Sequence, residues 1–238
     1  MSTMPAKRRA VKRRRRYDAT ARRARALQGR RAIIDAAERL FVRDGLQATT
    51  IAAIAAEAGV SAETIYKTFG GKTGLVRAIR EHRLAGEEPG HAEQRSNALQ
   101  REERDPRRII EGWGRLTIEV APKVMPILQL VAAAAPGDPT MARLREELDI
   151  ARLDRMRRNA TRLARAGHLR EGVRARDAAD VLWACSSPEL YERLVRRRGW
   201  TPARYARFIV DVMIAALLPP AHARMTVRTR RSARRSHH

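Results

Sequence analysis

Apart from a polar stretch over 86–105, apolar residues return every three or four positions from Gln28 to Leu218, and no stretch alternates as a strand would. The pattern predicts an all-α fold. Ile33, Ala37, Leu40 and Phe41 form the stripe of a first helix over Gln28–Arg43, which Asp44-Gly45 stops. Ile51, Ile54, Ala55 and Ala58 give a short second helix one apolar face, with Thr50 placed to cap it. Gly59 supplies a stop that tolerates the left-handed conformation, Val60 packs at the corner, and Ser61 caps a third helix through Thr68. Helix, glycine-containing turn and helix together predict a helix-turn-helix. On its second helix Ile65 and Phe69 face inward, while Glu63, Thr64, Lys67 and Thr68 point out. A fourth helix over Lys72–Leu84 turns Leu75, Val76 and Ile79 toward the others.

Residues 86–105 are nearly devoid of apolar side chains and read as a polar linker. Beyond them Asp105-Pro106 opens a helix with Ile109, Trp113, Leu116 and Val120 in register, which Pro122 and Pro126 should break or kink. A long helix over Thr140–Arg165 carries Leu144, Leu148, Met156, Ala160 and Leu163 inward and many arginines outward. Asp177 caps the next, with Val181, Leu182 and Cys185. Pro188–Arg198 and Pro202–Leu218 close the helical part, the last with Tyr205, Phe208, Ile209, Val212 and Ala216 on one face. The layout predicts an N-terminal bundle of three to four helices and a larger helical domain.

Charge changes the picture at the ends. The chain has 238 residues and a formal net charge of +24, of which residues 1–27 carry +10 and residues 221–238 carry +6, leaving +8 for the rest. The expected organisation is therefore a basic disordered arm (1–27), a helix-turn-helix domain (28–85), the polar linker (86–105), a helical ligand-binding and dimerisation domain (106–220) and a basic tail (221–238). Arginine-rich ends attract phosphate backbones. One cysteine, Cys185, excludes an internal disulfide framework. No apolar segment follows the basic N-terminus, and the run Val124–Ala135 is short for a bilayer. The expectation is a cytoplasmic protein with no membrane association.

Catalytic motifs do not assemble. Gly70-Gly71-Lys72-Thr73 resembles the end of a P-loop, but Tyr66 stands where that loop needs its first glycine. The six histidines, His82, His91, His168, His222, His237 and His238, form no metal-ligand spacing, and Ser186-Ser187 lacks the glycines of a nucleophile elbow. No cofactor, metal or enzymatic activity is expected.

The run from Thr49 to Leu75 resembles the DNA-binding domain of the TetR family of bacterial regulators. Ala55, Ala58-Gly59-Val60-Ser61, Thr64-Ile65-Tyr66, Phe69, Lys72 and Leu75 carry the resemblance, over about residues 28–84; Thr68 stands where many members have His. A recognition helix of this kind fits the major groove, and Ala62, Glu63 and Lys67 on its outer face are the candidates for base edges. Ser61 and Thr68 flank them. The resemblance implies that Thr50, Thr64, Tyr66 and Lys72 hold phosphates, contacts that set register without reading sequence. It also implies a homodimer through the Pro188–Leu218 helices and a small-molecule ligand. The candidate lining is Trp113, Leu116, Thr117, Met125, Leu128 and Trp183. The expected function is a sequence-specific DNA-binding transcriptional regulator, a dimeric repressor released by a small apolar ligand. The competing expectation is sequence-independent binding of nucleic acid through the arginine-rich ends.

Overall fold

The computed structural model describes residues 7–85 and 91–220, and all regular elements among them are helical. They are α1 (Lys7–Asp44), α2 (Ile51–Ala58), α3 (Ala62–Phe69), α4 (Lys72–Ala85), α5 (Ala92–Glu102), α6 (Pro106–Ala134), α7 (Pro139–Arg165), α8 (Ala175–Cys185), α9 (Pro188–Tyr191, continued by a π-helical stretch Glu192–Arg197) and α10 (Pro202–Leu217). Two compact units meet between Ile79 and Arg80, within the sequence of α4.

The N-terminal unit is built on the second half of α1. Ile33, Ala37, Leu40 and Phe41 are all buried, together with Ile54, Ile65, Leu75, Val76 and Ile79. The stripe read from sequence is thus the unit's core. Phe69 is only half-buried, and the Arg30 guanidinium lies 4.6 Å from its ring centre. The basic arm, expected to be disordered, differs: from Lys7 onward it continues α1 as helix. No Gly or Pro interrupts residues 7–27, and Ala, Arg and Lys are strong helix formers. The tail 221–238 lies outside the described residues.

In the C-terminal unit, α6 packs against α5, α7 and α10, and α8 packs against α7 and α10. The polar stretch read as a linker holds α5. His91 caps it through Nδ1, and Ala92 and Ser96 are buried. Two small buried side chains and the Arg95–Glu119 pair seat an otherwise polar helix, which is why composition hid it. The predicted break in α6 is absent as well. The helix runs through Pro122 and Pro126 with Ala121, Val124, Ile127 and Val131 buried. Pro122 leaves the Ile118 carbonyl without its helical donor, and Ile118 is 42% exposed, so water can serve it. Read continuously, the segment Pro106–Gly137 is long and apolar enough to cross a bilayer, by length and composition, unlike the shorter run Val124–Ala135. Its apolar faces are instead spent on the unit's core and on a cavity.

Two smaller departures have simple causes. Asp177 is the third residue of α8 rather than its cap, and its carboxylate accepts from the Arg174 backbone N–H and guanidinium. On α7, Arg155 and Asn159 are buried at 7% and 4% exposure, where the arginines were expected outward. The chain spends these polar side chains on the cavity wall.

Candidate nucleic-acid interface and ligand cavity

The turn between α2 and α3 is set by backbone hydrogen bonds. Gly59, at φ 66°, donates to the Ala56 carbonyl, and Val60 donates to that of Ala55, the paired closure of a helix that ends in a left-handed residue. Thr50 accepts from the Ala53 N–H and Ser61 from the Thr64 N–H, so both hydroxyls cap their helices. Buried Thr49 adds a tie, its hydroxyl donating to the Gly45 carbonyl at 2.7 Å. Arg39 pairs with Glu57 at 2.9 Å, linking α1 to α2.

These ties hold α3 with one side inward and the other open. Ile65 is fully buried. Glu63, Thr64, Tyr66, Lys67 and Thr68 are exposed, and Ala62 is half-buried. Tyr66 is 57% exposed, and its ring passes near Gly71. The Thr64 hydroxyl is 2.9 Å from that of Ser61, which leaves both oxygens able to meet a further donor or acceptor. Lys72 behaves otherwise than a free phosphate ligand would. Its ammonium donates to the Leu46 and Gln47 carbonyls at 2.7 and 3.2 Å, bracing the α1–α2 loop with two of its three hydrogens. One donor remains for an anion.

Sequence reading missed Gly74. A methyl group built there would collide with the Phe69 carbonyl, so the first turn of α4 rests directly on the end of α3. A glycine inside a helical pattern was the available signal.

The C-terminal unit contains a cavity of about 270 Å³. Trp113, Leu116, Thr117, Met125 and Leu128 all stand on its wall. Trp183 does not: it lies on an adjoining surface groove with Phe208 and Val212, with the Arg152 guanidinium 4.8 Å from its ring. The cavity explains why Leu116 and Val120 remain half-buried although they continue the α6 stripe. Trp113 is 8% exposed and its indole N–H has no partner among the described residues. Polar wall residues that the sequence reading did not single out include Arg80, Arg155, Asn159 and Tyr205. Desolvation lowers the pKa of Arg155, and Glu93 opposes that shift from 2.9 Å. Cys185 also borders the cavity; burial pushes its thiol up to about 11, which suits a small apolar wall residue.

Residues 33–79 match the family model described as bacterial regulatory proteins, tetR family. No curated protein matched the chain in sequence. Among solved structures, the chain is similar to the SmeT–triclosan complex (24% identity, 82% of this chain and 93% of that one, TM-score 0.63). It is also similar to NalD, the secondary repressor of the MexAB-OprM multidrug efflux pump in Pseudomonas aeruginosa (22%, 81% and 98%, 0.62). A third likeness is to GusR of Salmonella enterica (17%, 80% and 96%, 0.60). At these identities the likeness is one of fold. The sequence match covers the helix-turn-helix itself: residues 33–79 are similar to the tetR family of bacterial regulatory proteins, and the rest of the chain shares its fold with the solved structures.

Proposed function

We propose that the chain is a dimeric, sequence-specific repressor of transcription whose hold on DNA is released by a small, largely apolar ligand. The observation that carries this reading is α3: a capped helix with Ile65 buried and Glu63, Thr64, Lys67 and Thr68 exposed along the opposite side. Glu63 can accept from a cytosine amino group, Lys67 can donate to guanine, and Ala62 can meet a thymine methyl. Thr50, Ser61, Thr64, Tyr66 and the remaining Lys72 donor then face phosphates.

One such module buries too little surface for a tight specific complex, and a two-fold dimer doubles it. Phe208 and Val212, 38% and 37% exposed on α10, support that arrangement, with Leu190 and Trp183 in the same groove. Dimerisation through Pro188–Leu218 covers this face. The cavity supports ligand release: Arg80 and Leu84, in the last turns of α4, are part of its wall, and a ligand that prefers one placement of α4 would shift DNA affinity by its differential binding.

Competition between genomic fragments and bulk DNA near physiological salt tests this reading. A regulator should retain particular fragments about a thousandfold more tightly than bulk DNA. Equal retention of all fragments would favour binding driven by the arginine-rich ends.

A further inference from the structure

The wall of the cavity carries four arginines and three carboxylates. Arg155 pairs with Glu93 at 2.9 Å, Arg145 with Glu189 at 3.3 Å, and Arg152 with Asp149. Arg80 has neither an ion pair nor a hydrogen-bond partner among the described residues, although it is half-buried on a wall that is mostly apolar. A guanidinium without a counter-charge beside an apolar wall is a ready partner for an anion, and the pairing is worth more where water is scarce. Among the described residues the wall therefore carries one more positive than negative charge.

We infer that the cavity takes an apolar monocarboxylate, with its carboxylate seated on Arg80 and its hydrocarbon body against Trp113, Leu116 and Met125. The planar guanidinium fork matches a carboxylate through two parallel N–H···O bonds, a geometry that neither an alcohol nor an amine reproduces. The cavity volume of about 270 Å³ lies just under the ~300–1,000 Å³ usual for small-molecule sites, which suits a small acid. The three paired arginines are already neutralised, so a second negative charge on the ligand finds no partner there. This inference rests on the ligand-responsive reading given above and narrows the ligand to one chemical class.

Calorimetric titration of the full-length protein with octanoate, octan-1-ol and octylamine separates the two. The three probes share one hydrocarbon body and differ in head-group charge. Octanoate should bind about tenfold more tightly than octan-1-ol, and octylamine more weakly than either. In Arg80→Met the octanoate advantage should vanish while octan-1-ol affinity stays unchanged, and Arg80→Lys should restore part of it. Equal affinity for octanoate and octan-1-ol in the wild-type chain, or preference for the amine, would overturn the anion site and leave the cavity reading standing. Undiminished octanoate preference in Arg80→Met would place the charge elsewhere and overturn the inference too. Failure of all three probes to bind would remove the cavity reading itself. The wild-type comparison needs no variant, so a poorly folded substitution does not spare the claim.

Discussion

Lys67 and Tyr66 are adjacent in sequence, both exposed on α3, and differ in what they offer DNA. In the proposed reading Lys67, an unbranched donor, serves base edges, whereas the Tyr66 hydroxyl serves a phosphate oxygen. Lys67→Ala should reorder the preference among DNA sites, and Tyr66→Phe should weaken every site by a similar factor. Comparing binding to a panel of single-base variants checks both, and an unchanged ranking in Lys67→Ala removes it as a base reader. Gly74 offers a test of the scaffold. Its Cβ would strike the Phe69 carbonyl, so Gly74→Ala should cost at least ~2 kcal/mol by the usual scale of overpacking, despite alanine's better helix propensity. A denaturant midpoint equal to or above the wild type would contradict that. Residue roles were partly legible in sequence: the caps Thr50, Ser61, Asp105 and Thr201 follow from side-chain chemistry alone. Arg80 and Arg155 were not legible, because an arginine on a helix reads as a solvated charge until a cavity is found beside it.

At the scale of elements, periodicity located most of the helices and misjudged those whose stability comes from contacts. α5 holds its place through few buried groups and a pair of polar bridges: Arg95 donates to both Glu119 oxygens on α6 at 2.7 and 2.8 Å. The hydrogen bond from Arg95 holds the Glu119 pKa below its usual value of 4.5, against the opposing effect of burial. A carboxylate depressed in the folded state contributes stability above its unfolded pKa and loses it as pH falls through the folded value. Arg95→Met should therefore be less stable than wild type at neutral pH, and the gap should close as pH drops below 4.5. A gap that does not change with pH would mean the pair contributes through packing alone. α10 shows the opposite case, where sequence placed the residues correctly on a helix but merged two faces into one. Tyr205, Ile209, Met213 and Leu217 are buried in the unit, whereas Phe208 and Val212 stay exposed next to them. If this face is the proposed dimer seam, Val212→Glu should convert the protein to monomers in sedimentation velocity and make its melting midpoint lower and independent of protein concentration. A dimer that persists would relocate the interface.

The whole chain is +24, and its two basic ends are the main source of that charge. If those ends act through phosphates alone, deleting residues 1–27 weakens binding to all DNA by a similar factor and flattens its salt dependence, with sequence preference intact. Loss of preference in the truncated protein would show the arm reading sequence. The all-α class and the two-part layout were legible because helical periodicity and caps are local signals. The division between Ile79 and Arg80 was not, since it falls inside a helix where composition does not change. Selection of bound duplexes from a random library, with the full chain near physiological salt, decides whether the protein reads sequence. The expected result is enrichment of a pseudo-palindrome whose half-sites lie one helical turn apart, roughly 34–36 Å, or a multiple of it. Tight binding without any enriched sequence would contradict it.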